Sequence, residues 1–271
     1  MIRLTYITIA LVLTACNANS SGPKNTTANQ ATDPIETFKA ISNGNWYQAS
    51  YVDSISNSKS PFASQKSLAS IVELYIDTSG IKGDSLEVRA PSVHEGTTLM
   101  LYFKPGVGQA SFPVNILTGD STGSFFELGY KISSNDTSLI LYQYNKEKEI
   151  TSQTQYMKAP QMVDGPLQYM VRKTLFAGSY QAEDNAGNKS TITFTNGGQV
   201  EGLPGYQTYY VQIDFNASSE NAVDQVCLNI QSNNQKCFGF AIKENIIQLY
   251  DVIETGDVSK FGELKYTLTR Q

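Results

Sequence analysis

Histidine occurs once in this chain of 271 residues, cysteine three times and tryptophan once. One imidazole and three thiols leave little room for imidazole catalysis or for a thiolate metal centre. Charge is also scarce. Charged residues make up 17% of the chain, against roughly 25% in an average domain. The 20 Lys and Arg are outnumbered by 25 Asp and Glu, giving a net charge of -5. That balance lacks the basic footprint of a nucleic-acid-binding protein. What the chain has in quantity is apolar and aromatic: 40% hydrophobic residues, with 16 Tyr and 12 Phe. This is enough for one large or two small packed cores.

Met1 to Ala15 has the parts of an export signal. Arg3 supplies the positive start, and Ile7, Ile9, Ala10, Leu11, Val12 and Leu13 a short apolar run. That run falls short of the ~20 residues a membrane-spanning helix needs. Leu13-Thr14-Ala15-Cys16 follows and resembles the lipobox of bacterial lipoproteins. The resemblance implies cleavage before Cys16 and lipidation of its sulfur and amine, with several acyl chains giving stable membrane anchoring. Asn17, where Asp would imply inner-membrane retention, favours the outer membrane. The expected location is therefore the cell envelope, periplasmic or surface-facing, and the first partner is the membrane itself. Residues 16–32 are rich in Asn, Ser, Thr and Ala, with Lys24 as their only charge. They read as a flexible tether.

Beyond the tether the chain reads as one architecture used twice, over 33–160 and 161–271. Asp33 to Ile41 has an N-cap, a Pro at the first helical position and a short helical pattern, and leads into Gly44-Asn45-Trp46-Tyr47-Gln48-Ala49. Gly165 to Arg172 leads similarly into Gly178-Ser179-Tyr180-Gln181-Ala182. Each half offers about eight strand-like runs. In the first they fall near 45–53, 70–77, 84–90, 97–103, 111–117, 124–132, 137–144 and 150–158. In the second they fall near 178–184, 188–195, 198–202, 207–215, 223–230, 236–243, 245–251 and 262–269. The expected fold is all-β, with two tandem antiparallel barrels of about eight strands, closed so that no edge is exposed. A pair of β-sandwiches gives nearly the same pattern and stays open as the alternative. Pro160, Gly165 and Pro166 mark the boundary.

Gly44-Asn45-Trp46 resembles the Gly-x-Trp opening of lipocalin-like barrels. The resemblance implies that Trp46 packs across the closed end of the first barrel. The second half keeps Gly178 but has Tyr180 where the Trp would stand.

Cys227 and Cys237 lie in adjacent strand runs, each on the face opposite an apolar set: Val226, Leu228 and Ile230, then Phe238, Phe240 and Ile242. A turn centred on Ser232 sets the two cysteines directly opposite, so a structural hairpin disulfide is expected in an exported chain. With Cys16 lipidated, no odd thiol remains.

Other motifs read as structure. Gly119-Asp120-Ser121-Thr122-Gly123 matches Gly-x-Ser-x-Gly, but a strand-like run follows it where a nucleophile elbow needs a helix. His94 sits alone between Pro91 and Gly96. The loop Asp77 to Asp84 lacks most calcium ligands, and the glycines of Gly197 to Gly205 precede no helix. Lys146 to Glu149 reads as a hairpin tip. No catalytic residue, metal or cofactor is expected. Trp46, Tyr47 and Tyr180 are the candidate ligand or barrel-end aromatics, beside Tyr51, Tyr206, Tyr209 and Tyr210. The expected function is non-catalytic binding of a small apolar or glycan ligand. The alternative is a protein-interaction or structural role in the envelope with filled barrels.

Overall fold

The computed structural model describes residues 33–93, 95–116, 123–134, 136–160, 165–215, 223–255 and 258–271. The expected signal segment, Cys16 and the expected tether lie outside them, as do His94 and most of the Gly119–Gly123 motif. Asp33–Gln271 forms one compact unit.

Helix α1 (Pro34–Ser42) starts where Asp33 accepts the Ile35 N–H and Pro34 takes the first turn. Its Phe38 is fully buried in the interior of the barrel that follows. That barrel consists of β1 (Gly44–Gln48), β2 (Glu73–Ile76), β3 (Ser85–Arg89), β4 (Thr98–Tyr102), β5 (Ser111–Asn115), β6 (Phe125–Ile132), β7 (Thr137–Tyr144) and β8 (Ile150–Lys158). Each strand pairs with the next, and β8 pairs back onto β1 through Trp46 opposite Lys158, closing the ring. Closure excludes the sandwich alternative for this half. Alternation sends Leu86, Val88, Leu99, Leu101, Phe112, Leu128 and Leu139 inward, together with Trp46 and Tyr156.

The run at 45–53 departs from expectation. Its strand ends at Gln48, and α2 (Ala49–Ser58) begins at once. Tyr51, Val52 and Ile55 favour a strand by type, but they are spaced for one face of a helix and all three are buried. Their burial beside α4 (Pro166–Leu175) outweighs local preference. The helix stops at Lys59, whose left-handed φ of 58° lets its N–H reach the Ile55 carbonyl. The short α3 (Pro61–Ser64) follows.

After α4 come β9 (Gly178–Asp184), β10 (Lys189–Phe194), β11 (Val200–Glu201), β12 (Tyr209–Val211), β13 (Gln225–Leu228), β14 (Lys236–Lys243), β15 (Ile246–Thr255) and β16 (Val258–Arg270). They form an eight-stranded antiparallel sheet in the order β11-β10-β9-β16-β15-β14-β13-β12. Here the expectation of a second closed barrel is corrected, because this sheet is open. Its end strands β11 and β12, of two and three residues, form no ladder with each other. They are linked by the bridge of Gln199 with Thr208, the Val200 N–H on the Gln207 carbonyl and the Tyr209 N–H on the Gly198 carbonyl. Its concave side is filled by Phe176, Tyr180, Phe194, Tyr209, Val226, Phe240 and Leu268, and α2 contributes to the same apolar cluster.

Cys227 lies opposite Cys237 in the β13–β14 ladder, and their sulfurs are bonded, with Cα atoms 4.0 Å apart. The expected register and the disulfide are both present.

The two β-units exchange helix caps. α4 begins at Gly165, which has no side chain to cap it, and the Glu73 carboxylate of β2 accepts the Leu167 N–H at 2.8 Å. Conversely, Asp224, just before β13, accepts the Phe62 N–H of α3 at 2.7 Å. Each carboxylate satisfies orphan helix donors across a long sequence gap.

Candidate functional site

Two of the expected aromatics occupy matching places. Trp46 is fully buried, and its indole N–H donates to the Ser42 carbonyl at the end of α1 at 2.8 Å. The Lys158 ammonium lies 5.5 Å from the ring centre. Tyr180 is buried, its hydroxyl donating to the Phe176 carbonyl just past α4 at 2.6 Å and accepting from Arg270 at 2.8 Å. The Arg270 guanidinium lies 5.3 Å from that ring. Gly44 and Gly178 both hold positive φ, 126° and 147°, and a Cβ on either would approach the side chain of that same last-strand cation. The internal repeat therefore aligns Trp46 with Tyr180. The short sequence match of Tyr-Gln-Ala, which sets Tyr47 beside Tyr180, is one residue out of register.

These rings lie within or against packed interiors, each beneath a cation. Tyr47 is half-buried and packs against the second core. Tyr51 and Tyr209 are buried there too, and burial pushes both hydroxyls well above the ordinary tyrosine value.

Open space lies elsewhere. A cleft of about 590 Å³ is bounded by Gln65 to Ser70, Val93 and Ile213 to Phe215. A groove of about 360 Å³ sits over the second core. β9 runs from Gly178, near Arg270, to Asp184, opposite Tyr266. The groove therefore lies at the end of the sheet away from α4, and Asp184, Asn185, Lys236, Phe238, Asp251, Lys265 and Tyr266 line it. Its apolar wall is the edge-to-face pair of Phe238 and Tyr266, with centroids 6.0 Å apart.

The polar side is a chain of fixed charges. Asp251 takes Lys236 at 2.9 Å on one oxygen and Lys265 at 3.1 Å on the other. Lys265 also reaches Glu263 at 2.7 Å, and Glu263 accepts from Asn185 at 2.9 Å. The Lys236 hydrogen bond is the main reason the Asp251 carboxyl stays below its ordinary value, with Lys265 adding to it. Among the described residues no hydrogen-bond partner meets the Tyr266 hydroxyl, and burial raises its pKa. The arrangement can hold a ligand by ring contact and directed hydrogen bonds.

Sequence reasoning missed this groove because its residues come from four strands, with no spacing to flag them. Asp77 to Asp84 forms a turn in which Asp77 accepts from Ser79, and Lys146 to Glu149 is an exposed hairpin tip. Among the described residues no group of three or more His, Cys, Asp or Glu is placed to hold a metal ion. No known family model, no curated protein and no solved structure matches the chain.

Proposed function

We propose that this protein is a lipid-anchored lipoprotein of the bacterial cell envelope that binds without catalysis and presents its ligand site on the surface. The observation that carries the reading is the groove bounded by Phe238 and Tyr266, and the filling of both β-units puts the site on the surface. In the first, Phe38, Trp46, Leu74, Leu128 and Tyr156 are fully buried where a carrier would keep a lumen. In the second, Phe176, Phe194, Tyr209 and Phe240 do the same work. Space for a small ligand then lies in the groove bounded by Phe238 and Tyr266. The second sheet reads as a barrel left incompletely closed, and the anchor rests on the lipobox at Cys16.

Filled interiors also favour a second reading, in which the pair of β-units is a scaffold whose outer surface docks another envelope protein. Native mass spectrometry of residues 33–271, exported without the anchor in the native host, separates the two. A stoichiometric small adduct supports ligand binding. A clean mass, with a specific crosslink to one envelope protein, supports the scaffold. Loss of acyl labelling in Cys16→Ser tests the anchor, and labelling that persists in this variant removes the lipobox reading.

A further inference from the structure

We infer that the groove at the end of the second sheet away from α4 binds a neutral saccharide. This deepens the surface-binding reading and rests on it. The chemistry of the lining selects the ligand class. Two ammoniums, Lys236 and Lys265, are balanced by Asp184 and Asp251 in the lining and outweighed once Glu263 behind Lys265 is included. An anion gains nothing there, since each ammonium is already paired with a carboxylate. A purely apolar ligand would strip water from those fixed charges without replacing their hydrogen bonds, which costs more than covering the ring edge returns. A polyhydroxylated ligand meets both constraints. Its hydroxyls donate to the Asp251 oxygens and accept from the two lysines and the Tyr266 hydroxyl, while its C–H face lies on the Tyr266 ring.

Preorganisation supports the same conclusion. Lys265 is held by two carboxylates and Asp251 by two ammoniums, so neither side chain must be ordered when the ligand arrives. Tyr266 is held edge-on by Phe238. The volume of about 360 Å³ suits one or two sugar rings rather than a long chain.

The test is saturation-transfer NMR on residues 33–271, the compact unit that contains both cores, with maltose, cellobiose and N,N′-diacetylchitobiose as probes. At least one disaccharide should show transfer with a Kd of about 1 mM. Tyr266→Ala should weaken that binding at least tenfold and Tyr266→Phe a few-fold. Lys236→Ala, at a more exposed position, should weaken it at least threefold and serves where Tyr266→Ala lowers the melting temperature sharply. No transfer from any of the three sugars overturns the saccharide assignment. Transfer undiminished in Tyr266→Ala or Lys236→Ala overturns the site. A small adduct in native mass spectra that Tyr266→Ala removes, without any sugar binding, overturns the saccharide and leaves the surface-binding reading standing. Absence of both removes the two together.

Discussion

The carboxylate of Glu73, on the second strand of the barrel, accepts the backbone N–H of Leu167 at the start of α4, 94 residues further along the chain. Gly165 offers no side chain for that helix end, so a residue of the other β-unit does the capping. Tyr75 holds the carboxylate from the other side at 2.7 Å, and the Gly165 N–H rests on the Tyr75 hydroxyl at 3.1 Å. Glu73→Ala strands a buried N–H and should cost about 1–3 kcal/mol. Glu73→Gln keeps an acceptor and should cost less. Urea unfolding of the two variants checks this, and equal losses would show that the cap is not what matters.

Asp224 caps α3 from the opposite direction, and its burial raises the carboxyl above its ordinary value, against the lowering effect of the Ser60 and Phe62 hydrogen bonds. The folded state therefore binds this proton more tightly than the unfolded chain. The contribution is fully present below the unfolded value, about 3.9, and is lost as pH rises through the folded value. Tyr51, a neighbour that Asp224 perturbs, stays neutral across that window. Asp224→Asn keeps an acceptor for Phe62 without the charge. Relative to the parent protein it should gain stability between pH 4 and 7, measured by urea midpoints. A difference that stays flat or falls over that range overturns the assignment.

Glu127 of β6 is almost completely buried, and its oxygens accept from Val107 at 2.6 Å, Gly108 at 3.3 Å and the Ser111 hydroxyl at 2.5 Å. The loop between β4 and β5 is wrapped around this carboxylate. A Cβ at Gly106 would lie 2.5 Å from a Glu127 oxygen, closer than real contacts allow. Gly106→Ala must push the carboxylate off its donors, with a loss of about 1–3 kcal/mol. Faster amide exchange at Val107 and Gly108 is the expected signature.

The Cys227–Cys237 bond closes a short loop, with a sequence separation of 10. Loop-closure entropy gives about 2–3 kcal/mol for a loop of this size. Cys227→Ser with Cys237→Ser should lower stability by that order while leaving the fold intact. A far smaller loss would mean that the β13–β14 ladder already constrains the unfolded chain.

How much of this was legible in the sequence follows the range of each interaction. The strands were readable because alternation is local: β6, β7, β8, β9 and β14 lie within a residue of the expected runs. The disulfide was readable because two apolar faces and two cysteines agreed on one register. α2 is hidden because Tyr51, Val52 and Ile55 are strand-formers by type, which masks their helical spacing, and burial beside α4 decides for the helix. The open sheet was misread because nothing local says that β11 stops after two residues. The groove and the crossed caps of Glu73 and Asp224 join residues far apart in sequence, and no spacing encodes that.

α2 belongs in sequence to the first half, yet Tyr51, Val52 and Ile55 sit in the apolar cluster of the second sheet with Val171, Leu175 and Phe240. The second unit cannot lose its core without uncovering α2, and α2 follows β1, which carries the closing pairs to β8. The two β-units should therefore unfold as one. Trp46 is the single tryptophan and its fluorescence reports the first barrel, while amide resonances of the β13–β14 ladder around Cys227 and Cys237 report the second sheet. Their urea curves should coincide. Ile55→Ala should shift both midpoints equally, with a loss of about 2–5 kcal/mol. Separate transitions, or a shift confined to one probe, would show that the shared cluster does not couple the halves.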